Sequence, residues 1–133
     1  MLGIIGAMDV EVRTIKDKMT GIVTTRAASC DFVTGELEGV MITVVQCAPG
    51  KVNAALCTQL LIDRFQVDRV INIGVACSLS EWVVIKNIVI ATDVCQYDID
   101  ITALGEPKGF INGLGTIKVA TDPTLSDRLA RTA

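Results

Sequence analysis

The sequence predicts an α/β protein with a mixed central sheet flanked by helices. Two observations carry that prediction. Short aliphatic runs of strand length alternate with longer segments whose apolar residues recur at helical spacing. One pair of β-rich runs is joined only by Glu38-Gly39, a hairpin signal, so the sheet cannot be wholly parallel.

Leu2 to Gly6 reads as a fully buried strand because it offers no polar face. From Met8 onward, Met8, Val12, Ile15 and Met19 recur at helical spacing and predict an amphipathic first helix, with Glu11 on the flank of its apolar stripe. Asp31 to Leu37 and Val40 to Cys47 are the two arms of the hairpin. A helix then follows Gly50, over about Lys51 to Phe65. Its residues Val52, Ala54, Ala55, Leu56, Cys57, Leu60, Leu61 and Ile62 are apolar nearly all round, which predicts burial on two sides, inside the domain or at a subunit interface. Arg69 to Ile73 is a β-branched strand ending at Gly74, and Ile85 to Thr92 reads as a further strand before a polar, acidic stretch from Asp93 to Asp100. Asp122-Pro123 pairs an N-cap with proline at the first helical position and starts a third helix. The sequence stops inside that helix, with no strand after it, so the sheet reads as truncated.

The chain is one domain's worth of residues, 133 in all, and half of them are apolar. A net charge of −3 with interspersed signs and no basic stripe argues against nucleic-acid binding. No apolar run has the length of a membrane span, and the start lacks a basic region followed by a long apolar core, so neither an anchor nor a secretory signal is expected. The five cysteines, Cys30, Cys47, Cys57, Cys77 and Cys95, form no C-x-x-C pair, and their number is odd. Four lie in or beside apolar stretches and read as buried free thiols of a cytoplasmic protein; Cys77 falls in a loop.

With no histidine in the sequence, acid/base chemistry falls to carboxylates, Lys, Tyr, Cys or bound water. Glu11 is the best-placed carboxylate, at the mouth of a parallel sheet, although a first-turn glutamate also complements the helix dipole. Ala48-Pro49-Gly50-Lys51 joins a strand to a helix, where backbone N–H groups can face an anion or a ribose. It lacks the second glycine and the Lys-Ser/Thr pair of a phosphate-cradling loop. Gly74-Val75-Ala76-Cys77-Ser78 follows a strand in the manner of a sugar- or phosphate-binding turn. Asp98 and Asp100 share one side of an extended segment, a spacing that suits a hydroxylated ligand better than a metal, which would need a third ligand. Cys77 has no identifiable base to activate it as a nucleophile.

Taken in order, Gly3-Ile-Ile-Gly-Ala-Met-Asp-Val-Glu-Val12, Asp31-Phe-Val-Thr-Gly35, Gly50-Lys-Val-Asn-Ala-Ala55, Val70-Ile-Asn-Ile-Gly74 and Tyr97-Asp-Ile-Asp-Ile-Thr-Ala-Leu-Gly105 resemble the N-terminal part of the 5′-methylthioadenosine/S-adenosylhomocysteine nucleosidases, in the purine nucleoside phosphorylase superfamily. The resemblance implies that residues 1–133 are the N-terminal portion of a single nucleoside phosphorylase-like domain. The implied reaction is hydrolysis of the N-glycosidic bond to release adenine, a step of methionine salvage that needs no metal or organic cofactor. It implies that Glu11 orients the water attacking the ribose and that Ala7, Met8 and Pro49 line the ribose and alkylthio pocket. Val75 and Cys77, in the turn after Gly74, are assigned to substrate binding as well. A homodimer is implied through the 51–65 helix and the 97–111 segment, with Ile101 and Leu104 closing the neighbouring subunit's pocket.

The same resemblance places the acid that protonates adenine, and a ribose-binding glutamate, in the family's C-terminal half, outside this sequence. Without that acid the reaction would slow by roughly 10²–10⁴-fold or more. Cys77 and Ser78 stand where the family carries two glycines, Tyr97 where many members have histidine, and Lys86-Asn87 where a Gly-Asp turn is usual. Two other readings stay open: a non-catalytic nucleoside-binding or oligomerising remnant, and a purine nucleoside phosphorylase. The latter needs a phosphate site for which the Ala48-Pro49 loop supplies no basic or hydroxyl group.

Overall fold

The computed structural model describes Met1 to Thr132. The chain divides into two compact units, Met1–Cys77 and the residues from Ser78 onward.

In the first unit β1 (Leu2–Gly6), α1 (Asp9–Lys18), β2 (Thr20–Ala27), β3 (Cys30–Leu37), β4 (Val40–Gln46), α2 (Lys51–Asp63) and β5 (Arg69–Asn72) follow one another. The strands form one sheet in the order β2-β3-β4-β1-β5. β1 pairs in parallel with both β4 and β5, while β3 is antiparallel to its two neighbours β2 and β4. The sheet is therefore mixed, as the single predicted hairpin requires.

Successive strand residues point to opposite faces, and each face has its own core. Ile4, Val33, Ile42 and Val44 pack with Val12 and Met19 from and beside α1. Ile5, Phe32, Val45 and Cys47 pack on the other face with Cys57 and Leu61 of α2 and with Val67. This is why the β1 run is apolar at adjacent positions: Ile4 and Ile5 serve different cores. The Phe32 and Phe65 rings stack with centroids 4.7 Å apart, tying the start of β3 to the end of α2. Thr43, fully buried, is satisfied by the hydroxyl of its cross-strand partner Thr34 at 2.9 Å.

α2 is not sequestered inside its unit. Cys57 and Leu61 are buried, whereas Val52, Leu56 and Ile62 are exposed, so one side of this apolar helix packs on the sheet and the other faces outward. Cys57 donates its thiol to the sulfur of Cys30 at 3.7 Å, and burial pushes its pKa up to about 12. Met8, counted in the apolar stripe of the first helix, is exposed at its N-cap.

The second unit contains β6 (Asp93–Cys95), a 3₁₀ turn over Thr102–Leu104, β7 (Lys118–Ala120) and α3 (Pro123–Thr132). β6 and β7 form a two-stranded antiparallel ladder. Two expectations are corrected here. Ile85 to Thr92 carries no strand; the segment turns at Lys86, whose φ is +79°, and Asn87 closes the turn by accepting from the Val84 N–H at 2.8 Å. The strand falls instead on Asp93–Cys95, inside the stretch read as polar and acidic, and it leaves Cys95 exposed where a buried thiol was expected. The third helix starts as predicted, with Asp122 accepting from the Leu125 N–H at 3.0 Å. Among the described residues no helix is long and apolar enough to cross a membrane.

Candidate active site

Parallel pairing of β4, β1 and β5 brings their C-terminal ends to one edge of the sheet. The ladder continues a step past the strands, with Cys47 N–H donating to the Gly6 carbonyl and Ile73 N–H to the Ile5 carbonyl, each at 2.9 Å. The three connections that leave this edge are Ala7-Met8, Cys47 to Gly50, and Ile73 to Cys77. They contain Ala7, Met8, Pro49, Val75 and Cys77, five of the residues singled out in the sequence. Such an edge is where open α/β sheets place their ligands.

Glu11 sits there as the third residue of α1, and its carboxylate bridges two of the connections. Oε2 accepts from the N–H groups of Ala7 and Met8, both at 2.8 Å, and Oε1 accepts from Val75 N–H at 3.1 Å. The Met8 bond is the carboxylate half of a capping box, which satisfies an orphan donor at the helix start. The Val75 bond spans 64 positions and locks the end of the β5 connection to the start of α1. The Met8 and Val75 N–H groups, followed by that of Ala7, hold the Glu11 pKa below its ordinary value of 4.5.

A carboxylate offers about four lone-pair sites, and three are taken, so Oε1 keeps room for one more donor such as water. The depressed pKa makes Glu11 a weak proton acceptor and a permanent anion at neutral pH. A carboxylate so held can act chemically as a fixed negative charge, able to orient a donor or stabilise positive charge beside it.

Met8, Val75 and Cys77 are exposed at this edge, and Val75 contributes its backbone rather than its side chain. Cys77 and Ser78 are not among the described residues with positive φ, so these side chains sit in ordinary backbone. The Pro49 turn is strained: Ala48 has φ +63° and Gly50 φ +111°, and the Pro49 carbonyl accepts from the Asn53 amide at 2.8 Å. Ile101 and Leu104 belong to the second unit, on and beside the 3₁₀ turn, where Leu104 is exposed. In that turn the Asp100 carboxylate accepts from both the hydroxyl and the N–H of Thr102, at 2.7 and 3.2 Å. Gly74, the end of the predicted strand and the first residue of the predicted binding turn, lies directly against the Glu11 carboxylate.

The sequence matches the phosphorylase superfamily over residues 1–133. A 5′-methylthioadenosine/S-adenosylhomocysteine nucleosidase of Bacillus subtilis (strain 168) is 38% identical over 125 residues, covering 94% of this chain and 54% of that protein. The solved nucleosidase of Colwellia psychrerythraea 34H, in complex with adenine, superposes with a TM-score of 0.94 at 37% identity, covering 98% of this chain and 53% of that one. The Neisseria meningitidis nucleosidase in complex with methylthio-immucillin-A gives a TM-score of 0.92 at 31% identity, covering 98% and 58%. The chain spans about half the length of the relatives it matches. By the match along its whole length, the chain belongs to the phosphorylase superfamily.

Proposed function

We propose that the chain forms the N-terminal portion of a nucleoside phosphorylase-like domain that hydrolyses the N-glycosidic bond of 5′-methylthioadenosine and S-adenosylhomocysteine, releasing adenine. The observation that carries this reading is the Glu11 carboxylate, held by three backbone N–H groups with one acceptor site to spare. The names of the relatives supply the substrate class.

In this reading the glycosidic bond stretches until the ribose carries oxocarbenium character. Glu11 then acts twice, aligning the attacking water through Oε1 and stabilising the cationic sugar with its charge. Both roles call for a group that is an anion at neutral pH, which the lowered pKa supplies. The water's oxygen bonds to C1′ as the bond from C1′ to adenine breaks, and the proton the water gives up is balanced by the one the departing adenine gains. Ala7, Met8 and Pro49 border the ribose and alkylthio group, and Val75 and Cys77 border the substrate from the β5 side. The outward face of α2, with Val52, Leu56 and Ile62, supports association of two copies through the 51–65 helix and the 97–111 segment, in which Ile101 and Leu104 serve the partner's pocket. The five free cysteines fit a reducing, cytoplasmic setting.

The test is adenine release from 5′-methylthioadenosine by the purified chain, with and without inorganic phosphate. Release in phosphate-free buffer, with free methylthioribose as co-product, supports hydrolysis. Release that requires phosphate, with methylthioribose 1-phosphate as co-product, overturns hydrolysis in favour of phosphorolysis.

A further inference from the structure

We infer that Gly74 is a positioning residue for Glu11: its bare Cα is the surface against which the carboxylate rests, and no larger residue leaves the carboxylate in place. The inference rests on the reading of Glu11 given above, and it concerns how that side chain is held.

A methyl group on Gly74 would lie 2.7 Å from Oε1, 3.1 Å from Cδ and 3.4 Å from Oε2 of Glu11. The first distance is far inside van der Waals contact, so one of the two groups would have to move. All three of the nearest atoms belong to Glu11, so that side chain is the first thing a larger residue at Gly74 would meet. Gly74 is not among the glycines with positive φ. Backbone freedom is therefore not the reason for glycine here; close approach is. The neighbouring Val75 N–H completes the arrangement by donating to Oε1, the atom that a Gly74 methyl group would approach most closely. Helix α1 carries Glu11 from the β1 side and fixes Oε2 on Ala7 and Met8. Displacement by a methyl group would therefore break the Val75 bond first and turn Oε1, the oxygen with the free acceptor site, away from its place.

The experiment uses the whole chain and two readouts that do not depend on turnover. The first is the titration midpoint of the Glu11 side-chain carboxyl followed by ¹³C NMR. It should lie below 4.5 in the wild type and rise toward 4.5 in Gly74→Ala, as the Val75 donor is lost. The second is a thermal double-mutant cycle. Gly74→Ala should lower the melting midpoint by about 3–6 °C in the wild-type background and by less than about 1 °C in Glu11→Ala, where the methyl group has room. If Gly74→Ala alone fails to fold, recovery of folding in the Glu11→Ala/Gly74→Ala double variant supports the inference. Equal losses in both backgrounds, an unchanged Glu11 midpoint, or a double variant that stays unfolded overturns it. Failure of the proposed reaction shows up separately, as absence of adenine release from a chain in which both readouts behave as expected.

Discussion

Replacing Glu11 by glutamine is the obvious way to remove its charge at constant shape, but the hydrogen bonds around it make this substitution far from silent. Both carboxylate oxygens are acceptors here: Oε2 for Ala7 and Met8, Oε1 for Val75. An amide has one acceptor and one donor. If its oxygen stays on Ala7 and Met8, its NH₂ meets the Val75 N–H across a distance of 3.1 Å, donor against donor. If the amide flips, two bonds are lost instead of one. The first arrangement costs less, so Glu11→Gln should keep two of the three bonds and release Val75. The surviving two should weaken to about half, since charge-assisted hydrogen bonds are roughly twice as strong as neutral ones. Backbone ¹H–¹⁵N spectra recorded across an acid titration measure this directly. In the wild type the Ala7, Met8 and Val75 amides should titrate together, with a midpoint below 4.5. In Glu11→Gln none should titrate, and at neutral pH Val75 should move furthest from its wild-type position. A Val75 amide that stays put while Ala7 and Met8 shift would refute the assignment of the bonds.

Three further perturbations have outcomes set by the same structure. Phe32 is fully buried and stacked on Phe65, so Phe32→Ala should lower stability by about 3–5 kcal/mol in urea denaturation, and a loss under 1 kcal/mol would contradict the packing. Lys86 holds φ +79°, which costs a side-chain-bearing residue about 1 kcal/mol; Lys86→Gly should raise stability by about 0.5–1 kcal/mol while Lys86→Ala gains nothing. Stability should also fall at both extremes of pH. Glu11, Asp68 beside the N-terminal ammonium and Asp100 beside Thr102 all have depressed pKa values, so the stability they add is complete above about pH 4.5 and drains away as pH falls through their folded values. Cys57, raised from 9.0 to about 12, contributes fully below pH 9.0 and loses that contribution as pH rises toward 12, a limb that denaturation midpoints measured in Cys57→Ala should lack.

The elements most legible in the sequence are those with a buried face. β1, α1, β3, β4, α2 and β5 all contribute to one of the two cores, and hydrophobic period reports burial. β2 has no such face: it is an edge strand, exposed along most of its length and irregular between Thr20 and Val23. Its turn into β3 is equally hidden. Ala28 and Ser29 adopt φ of +47° and +64°, the conformation for which Asn-Gly is the usual signature, whereas the β3–β4 turn announces itself through Glu38-Gly39. The apolar run from Ile85 to Thr92 misled for the opposite reason, since β-branched residues there lie in irregular, largely exposed chain rather than in a ladder. At the site, residue type and position pointed to Glu11, and the edge loops followed from the parallel order of strands. The Val75 bond was not legible, because it joins positions 64 apart through a backbone N–H that carries no residue-type signal. Nor was the reason for Gly74, a glycine required by a distant carboxylate rather than by its own backbone.

The most direct test of the central claim compares adenine release from 5′-methylthioadenosine by the wild-type chain and by Glu11→Gln in phosphate-free buffer. The account predicts release by the wild type and a fall of about 10²–10³-fold in the variant, as expected when a fixed charge facing the developing cation is removed. Release at equal rates from both would mean that the carboxylate held at the sheet edge is a helix cap and that the chemistry lies elsewhere.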